Sequence, residues 1–137
     1  FAGADLSGAS LAKVSAASTD FTGARLSQAT LADGEFHQAS FEKAELTQAD
    51  LSRCQMNETI FQEANAVGTK FQNTTMVYAD FSNAVLDNAD FTGADLSGAQ
   101  MHAVSENGTG WENANRKGVR KTDPQRLAAQ TWQAPQI

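Results

Sequence analysis

A large apolar side chain returns every fifth residue from Phe1 to Met101, and the register never slips. Of the 21 positions in that series, 19 are Phe, Leu or Met, and the exceptions are Ala16 and Ala66. A helix repeats its inward face every 3.6 residues and a strand every 2, so neither produces this spacing. The position two before each large residue is equally constrained. It is Ala at most repeats and otherwise Val14, Gly34, Cys54 or a threonine such as Thr59, Thr69 or Thr74. The other positions are mostly Ser, Thr, Asp, Asn, Gln and Gly, the residues of turns and solvent. One large and one small inward residue per repeat describes a narrow tube that turns a corner at every repeat.

The segments Ala4-Asp5-Leu6-Ser7-Gly8, Ala89-Asp90-Phe91-Thr92-Gly93 and Ala94-Asp95-Leu96-Ser97-Gly98 resemble the A(D/N)LXX signature of the pentapeptide-repeat family. The likeness covers roughly residues 1–104. It implies an all-β fold, a right-handed quadrilateral parallel β-helix with four repeats, or 20 residues, per coil and about five coils here. It also implies binding or scaffolding rather than enzyme activity.

On that coil, residues 20 apart stack into columns. Phe1, Phe21, Phe41, Phe61 and Phe81 form one, ending at Met101. Leu6, Leu26, Leu46, Ala66 and Leu86 form the second, Leu11, Leu31, Leu51, Phe71 and Phe91 the third, and Ala16, Phe36, Met56, Met76 and Leu96 the fourth. The core is therefore placed at Phe1, Phe21, Phe41, Phe61, Phe81, Leu26, Leu46, Leu51, Phe71 and Phe91. The gap at Ala66 is expected to be filled from Phe61 and Phe71, and that at Ala16 from Phe36, one coil away. At about 4.8 Å per coil, five coils make a rod about 25 Å long.

Beyond Met101 the pattern changes. Glu106 stands where a large apolar residue belongs, and Ser105 to Gly110 reads as a loop or degraded coil. The solenoid is accordingly placed at residues 1–115, and residues 116–137 are read as a basic linker and a C-terminal capping helix. Thr122-Asp123-Pro124 signals a helix start, a capping side chain followed by Pro at the first helical position. Leu127, Ala128, Thr131 and Trp132 share one face, and Pro135 is expected to stop the helix. Packing that face over the last coil would cover an exposed core and bare strand edges.

Charge divides in the same way. Residues 1–115 hold 15 of the 16 acids and 5 of the 10 bases, a net −10. The remainder holds Asp123 against Arg116, Lys117, Arg120, Lys121 and Arg126, a net +4. The acidic body repels nucleic acid at long range, so no direct nucleic-acid partner is expected. There is no apolar run long enough to span a membrane. Beginning inside a repeat and without Met, the chain reads as a repeat region of a larger bacterial protein.

Candidates for chemistry are few. His37 and His102 each follow a large residue and are expected on the surface, on different columns and too far apart to share a metal. Cys54 holds a small inward position, where a thiol acts as a small apolar group. Asp5, Asp20, Asp50, Asp80, Asp90 and Asp95 all precede a large residue, as the family pattern prefers, and so read as structural. Three Asn-X-Thr matches, at Asn57, Asn73 and Asn107, fit chance in a chain this rich in Asn and Thr. No catalytic residue, cofactor site or metal site is assigned.

The basic cluster Arg116, Lys117, Arg120 and Lys121, with Trp132, supplies the candidate partner contacts. The expected function is a non-catalytic protein-interaction module, in the bacterial cytoplasm or secreted within an effector or a type VI adaptor. The helix offers a dimer contact. The alternative that the resemblance implies is an acidic DNA mimic that binds a type II topoisomerase.

Overall fold

The computed structural model describes residues 1–132. Each five-residue unit runs the same way: a large inward residue, two corner residues, a small inward residue, then an outward residue paired with the next coil. The corner is a type II turn, which requires positive φ at its third residue. All 24 such residues, from Gly3 to Gly118, have φ between 54° and 72°. Eight of the 24 are glycine and 16 are not, so most corners hold an L residue in a disfavoured conformation. The coil-to-coil ladder holds them there. At Lys43, for example, the corner N–H donates to Gln62 O of the next coil at 2.9 Å.

Every outward residue bridges in parallel to the one 20 later, from Asp5 with Arg25 to Gln100 with Arg120. The chain is a right-handed, four-sided parallel β-helix. It has six coils, residues 1–20 through 101–120, not five. Of the two readings of Ser105–Gly110, loop or degraded coil, the second holds, with Val85 paired to Ser105 and Asp90 to Gly110. Backbone bonds carry that ladder, so the missing apolar side chain at Glu106 does not end it. Arg116, Lys117 and Arg120 consequently belong to the last coil, which runs five residues beyond the boundary drawn at 115.

Inside, Phe1, Phe21, Phe41, Phe61 and Phe81 stack face to face, with centroids 4.7–5.5 Å apart and planes within 9°. Phe71 meets Phe61 and Phe81 edge-on and continues its own stack through Phe91 to Trp111. The edge-on pairs have a geometry that aromatic quadrupoles favour. Phe21, Phe41, Phe61, Phe71, Phe81, Phe91, Leu26, Leu46 and Leu51 are all essentially inaccessible. Phe1 is a correction: it is 68% exposed. Its inner face rests on Phe21 while its outer face lies at the open end of the tube.

Ala66 is fully enclosed, with the Phe61 and Phe71 rings edge to face in its coil. Ala16 differs from expectation. The ring of Phe36 folds over Gly34 in its own coil, where a Cβ would lie 2.4 Å from Cε2. The space beside Ala16 stays open. A hollow of about 220 Å³ remains at the first coil, lined by Phe1, Leu6, Leu11, Val14, Ala16 and Phe21 among others.

The helix α1, Pro124–Thr131, starts as expected, with the Asp123 carboxylate accepting from Gln125 N and Arg126 N. Its polar contacts lie on the flank of the last coil. Asp123 N donates to His102 Nδ1 at 3.0 Å, and His102 Nε2 bonds Gln130 Oε1 at 2.8 Å. His102, expected on the surface, is therefore buried at 3% exposure. Leu127 and Trp132 remain 38% and 68% exposed, and Val104, Ala114 and Val119 of the last coil stay half-buried. The last coil carries Glu106 and Arg116 at inward register, a poor seat for an apolar helix face. The stop assigned to Pro135 lies outside the described residues.

Phe41→Ala should cost about 3–5 kcal/mol through the cavity it leaves in the stack. Ser18→Gly, at an exposed corner with φ 59°, should instead gain about 0.5–1 kcal/mol by relieving the left-handed conformation. Thermal unfolding of the two variants checks both signs.

Candidate functional site

The outward aspartates act locally. In Asp5, Asp20, Asp50, Asp80, Asp90 and Asp95, Oδ1 accepts the backbone N–H two residues on, at 2.9–3.1 Å. All but Asp20 also accept the hydroxyl of that Ser or Thr. Each carboxylate thus pins the corner that follows it, which is the physical content of the Asp-Leu-Ser and Asp-Phe-Thr steps. At Asp5 the Ser7 hydroxyl and amide hold the pKa below the ordinary carboxylate value, and at Asp90 Thr92 does the same. At Asp80 burial pushes the pKa up, but hydrogen bonds from Ser82 and Gln62 outweigh it and the net shift is downward.

The other chemical candidates are also committed to structure. The Cys54 thiol donates to Leu31 O at 3.0 Å, and burial pushes its pKa up to about 12, far from a reactive thiolate. His37 accepts from Asn57 N through Nδ1 and bonds Gln55 through Nε2, which fixes it at a corner. Among the described residues no group of three His, Cys, Asp or Glu side chains is placed to hold a metal ion.

A groove of about 480 Å³ lies between one corner and the adjoining side of the last two coils. Tyr78, the only tyrosine, sits at the positive-φ corner position and is 67% exposed. Its ring lies across Gly98, where a Cβ would come within 2.5 Å of it. Gly118 follows in the same column, so two positive-φ positions without side chains leave a trough under the ring. Ser97, Gln100, Lys117 and Arg120 complete the lining. The site presents an aromatic face, two cations, an amide and a hydroxyl: it can bind an anionic chain but has no group poised for catalysis.

Of the candidate partner contacts, Lys117 and Arg120 meet in this groove. Arg116 turns inward, its guanidinium 4.2 Å from the Trp111 ring centroid, and with Lys121 lines a separate hollow of about 120 Å³ beside Glu106. Trp132 lines neither. Tyr78 was missed in the sequence. Its signal is a bulky aromatic at a corner position, 20 residues before a glycine that makes room for it.

The residue pattern and the coil agree with known proteins. A family profile described as the pentapeptide repeat region matches residues 34–111, and a second, for eight copies of the pentapeptide repeat, matches residues 1–38. The chain belongs to the pentapeptide-repeat family. Among solved structures, this pentapeptide-repeat chain is similar to HetL of the cyanobacterium Nostoc sp. strain PCC 7120, a protein involved in heterocyst differentiation regulation. The two share 19% identity and a TM-score of 0.57, over 87% of this chain and 73% of HetL. It is also similar to QnrB1, a plasmid-mediated fluoroquinolone resistance protein, at 18% identity and a TM-score of 0.52, over 93% and 92% of the two chains. At these identities the likeness is one of fold. No curated protein sequence matches the chain.

Depressed carboxyl pKa values fix the sign of the acid response. The folded aspartates bind fewer protons than the unfolded ones, so their contribution is complete above the ordinary carboxylate range and is lost as pH falls through their folded values. The urea midpoint should therefore be flat from neutrality to about pH 5 and drop steeply below about pH 4. Asp90→Asn, which keeps the Oδ1 acceptor but not the charge, should make that drop shallower.

Proposed function

We propose that this chain is a non-catalytic protein-interaction rod that receives an acidic segment of a partner protein in the groove between Tyr78 and Arg120. The observation that carries this reading is the meeting of Lys117 and Arg120 beside an exposed tyrosine ring, on a chain that is otherwise strongly acidic. An extended acidic strand would lay its carboxylates on the two cations and an apolar or aromatic side chain on the Tyr78 face. Ser97 and Gln100 would serve the strand's backbone. The rigid coil supports the reading because the groove is held on both sides by ladder bonds and needs no ordering on binding.

An oligo-glutamate peptide carrying one aromatic residue is the probe. Its binding should weaken with salt, fall about tenfold or more in Lys117→Glu with Arg120→Glu, and fall again with Tyr78→Ser. Unchanged affinity in the charge-reversed variant would sink the groove as the site.

The second reading is the acidic mimic of duplex DNA directed at a type II topoisomerase. It draws on the net −10 of residues 1–115. Against it, acids stand on all four sides, and six aspartates are engaged in corner bonds. A supercoiling assay separates the two readings: inhibition by the folded chain, abolished by neutralising one side, would favour the mimic. Sedimentation of the same sample tests whether Leu127 and Trp132, exposed on and after α1, pair two copies.

A further inference from the structure

We propose that Asn107 is a site of spontaneous covalent modification, where attack by its own following amide converts the asparagine to aspartate and isoaspartate and so marks the last coil. Nothing in the groove reading bears on it.

Two positions in the chain place Asp or Asn directly before Gly: Asp33-Gly34 and Asn107-Gly108. That step is the chemically vulnerable one, because glycine has no Cβ to obstruct its own nitrogen and allows backbone rotation that other residues resist. In the reaction, the Gly108 nitrogen bonds to Asn107 Cγ. The Cγ–Nδ2 bond breaks, and ammonia leaves with the proton given up by Gly108 N–H. Water then opens the five-membered imide at either carbonyl. One opening gives aspartate, and the other gives isoaspartate, whose main chain runs through the β-carbon. One water is consumed and one ammonia released, and no oxidant or reductant is needed.

The fold protects the first pair. Gly34 is buried, and its N–H donates to Leu31 O at 3.2 Å. The Asp33 carboxylate is gripped by Arg53 through Nε at 2.9 Å and Nη2 at 3.1 Å. An ionised, paired carboxylate is a poor electrophile.

None of this holds at the second pair. Asn107 and Gly108 are both exposed, and among the described residues nothing accepts from Gly108 N–H. In interior coils the equivalent N–H is spent on the next coil, as Gly68 N is on Asp87 O. The closing bond from residue four to residue one, formed at Ala114 to Trp111 and Val119 to Arg116 in the same coil, is not made between Thr109 and Glu106, where the Thr109 hydroxyl donates to Leu86 O instead.

Attack requires Asn107 to rotate out of the type II conformation. At this corner the rotation disturbs only bonds to the coil above, Asn107 N to Asp87 Oδ1 and Asn88 N to Asn107 O. In an interior coil it would break bonds on both sides. Of the other corner asparagines, Asn57, Asn73, Asn83 and Asn88 are interior and are followed by Glu58, Thr74, Ala84 and Ala89, so they lack both conditions, and Asn113, in the last coil, is followed by Ala114. Conversion would add a carboxylate beside Asp87 and Glu106, and the isoaspartyl product would lengthen the main chain at a corner whose spacing the ladder dictates.

The test is ageing of the whole folded chain in mildly alkaline buffer, followed by digestion with a glutamate-specific protease that releases residues 107–112. Mass spectrometry reads the exchange of an amide NH₂ for OH, and isoaspartyl methyltransferase labelling reads isoaspartate. Segment 107–112 should be modified faster than any other asparagine-bearing segment by an order of magnitude. Gly108→Ala should remove that excess, and ageing in urea should make Asp33 newly reactive while leaving Asn107 reactive. Modification of native Asn107 no faster than of the interior asparagines would overturn the proposal. So would isoaspartate at Asp33 of the folded chain at a rate equal to that in urea.

Discussion

The parallel backbone ladder between residues 20 apart is the interaction on which everything else in this molecule rests. It explains why 16 L residues tolerate a left-handed corner. Each such residue loses stability locally, and in the first five coils its N–H is repaid by a carbonyl one coil away. It also explains why the core is columnar. Once the coil length is locked, every inward residue must meet the residue 20 before and after it, and the phenylalanines have no choice but to stack in near-parallel planes. Threonines at the small inward position reinforce the lattice. Thr59, Thr69 and Thr74 send their hydroxyls to carbonyls of the coil above, which is how a polar side chain lives inside this tube without an unsatisfied group.

The same lattice governs the surface. A carboxylate at the outward position sits beside the corner that follows it, so charge that looks available for binding is largely spent on pinning backbone amides. What remains free for a partner comes from departures from the repeat. A tyrosine occupies a corner, two glycines lie below it, and Lys117 and Arg120 of the last coil stand beside them. Function in such a fold is written in its irregularities, because the regular positions are already employed.

The two ends of the tube differ in kind. The first coil presents Phe1, Leu6, Leu11 and Ala16 around an apolar hollow. The last coil keeps the ladder but replaces two of its four large residues by Glu106 and Arg116, and Arg116 spreads over Trp111. A charged final coil protects its own end, as terminal repeats of solenoids do. The helix therefore need not lie over it and packs instead against His102 on the flank.

The five-residue period by itself determined the identity of nearly every core residue, and the 20-residue coil and its columns followed from the resemblance that the repeat carries. The helix start was equally legible, since Asp123-Pro124 signals it through local bonds alone. Tertiary structure decided the rest. That residues 101–120 form a sixth coil depends on backbone pairing, which leaves no trace in side-chain hydrophobicity. Phe36 was expected to fill the gap at Ala16, whereas its ring lies over Gly34 in its own coil and a hollow remains beside Ala16. His102 looked like any outward corner residue until a helix from 21 residues later donated Asp123 N to it. The groove, too, needed the fold. Tyr78, Gly98 and Gly118 are each unremarkable alone, and only the 20-residue pitch stacks them into a trough beside Lys117 and Arg120.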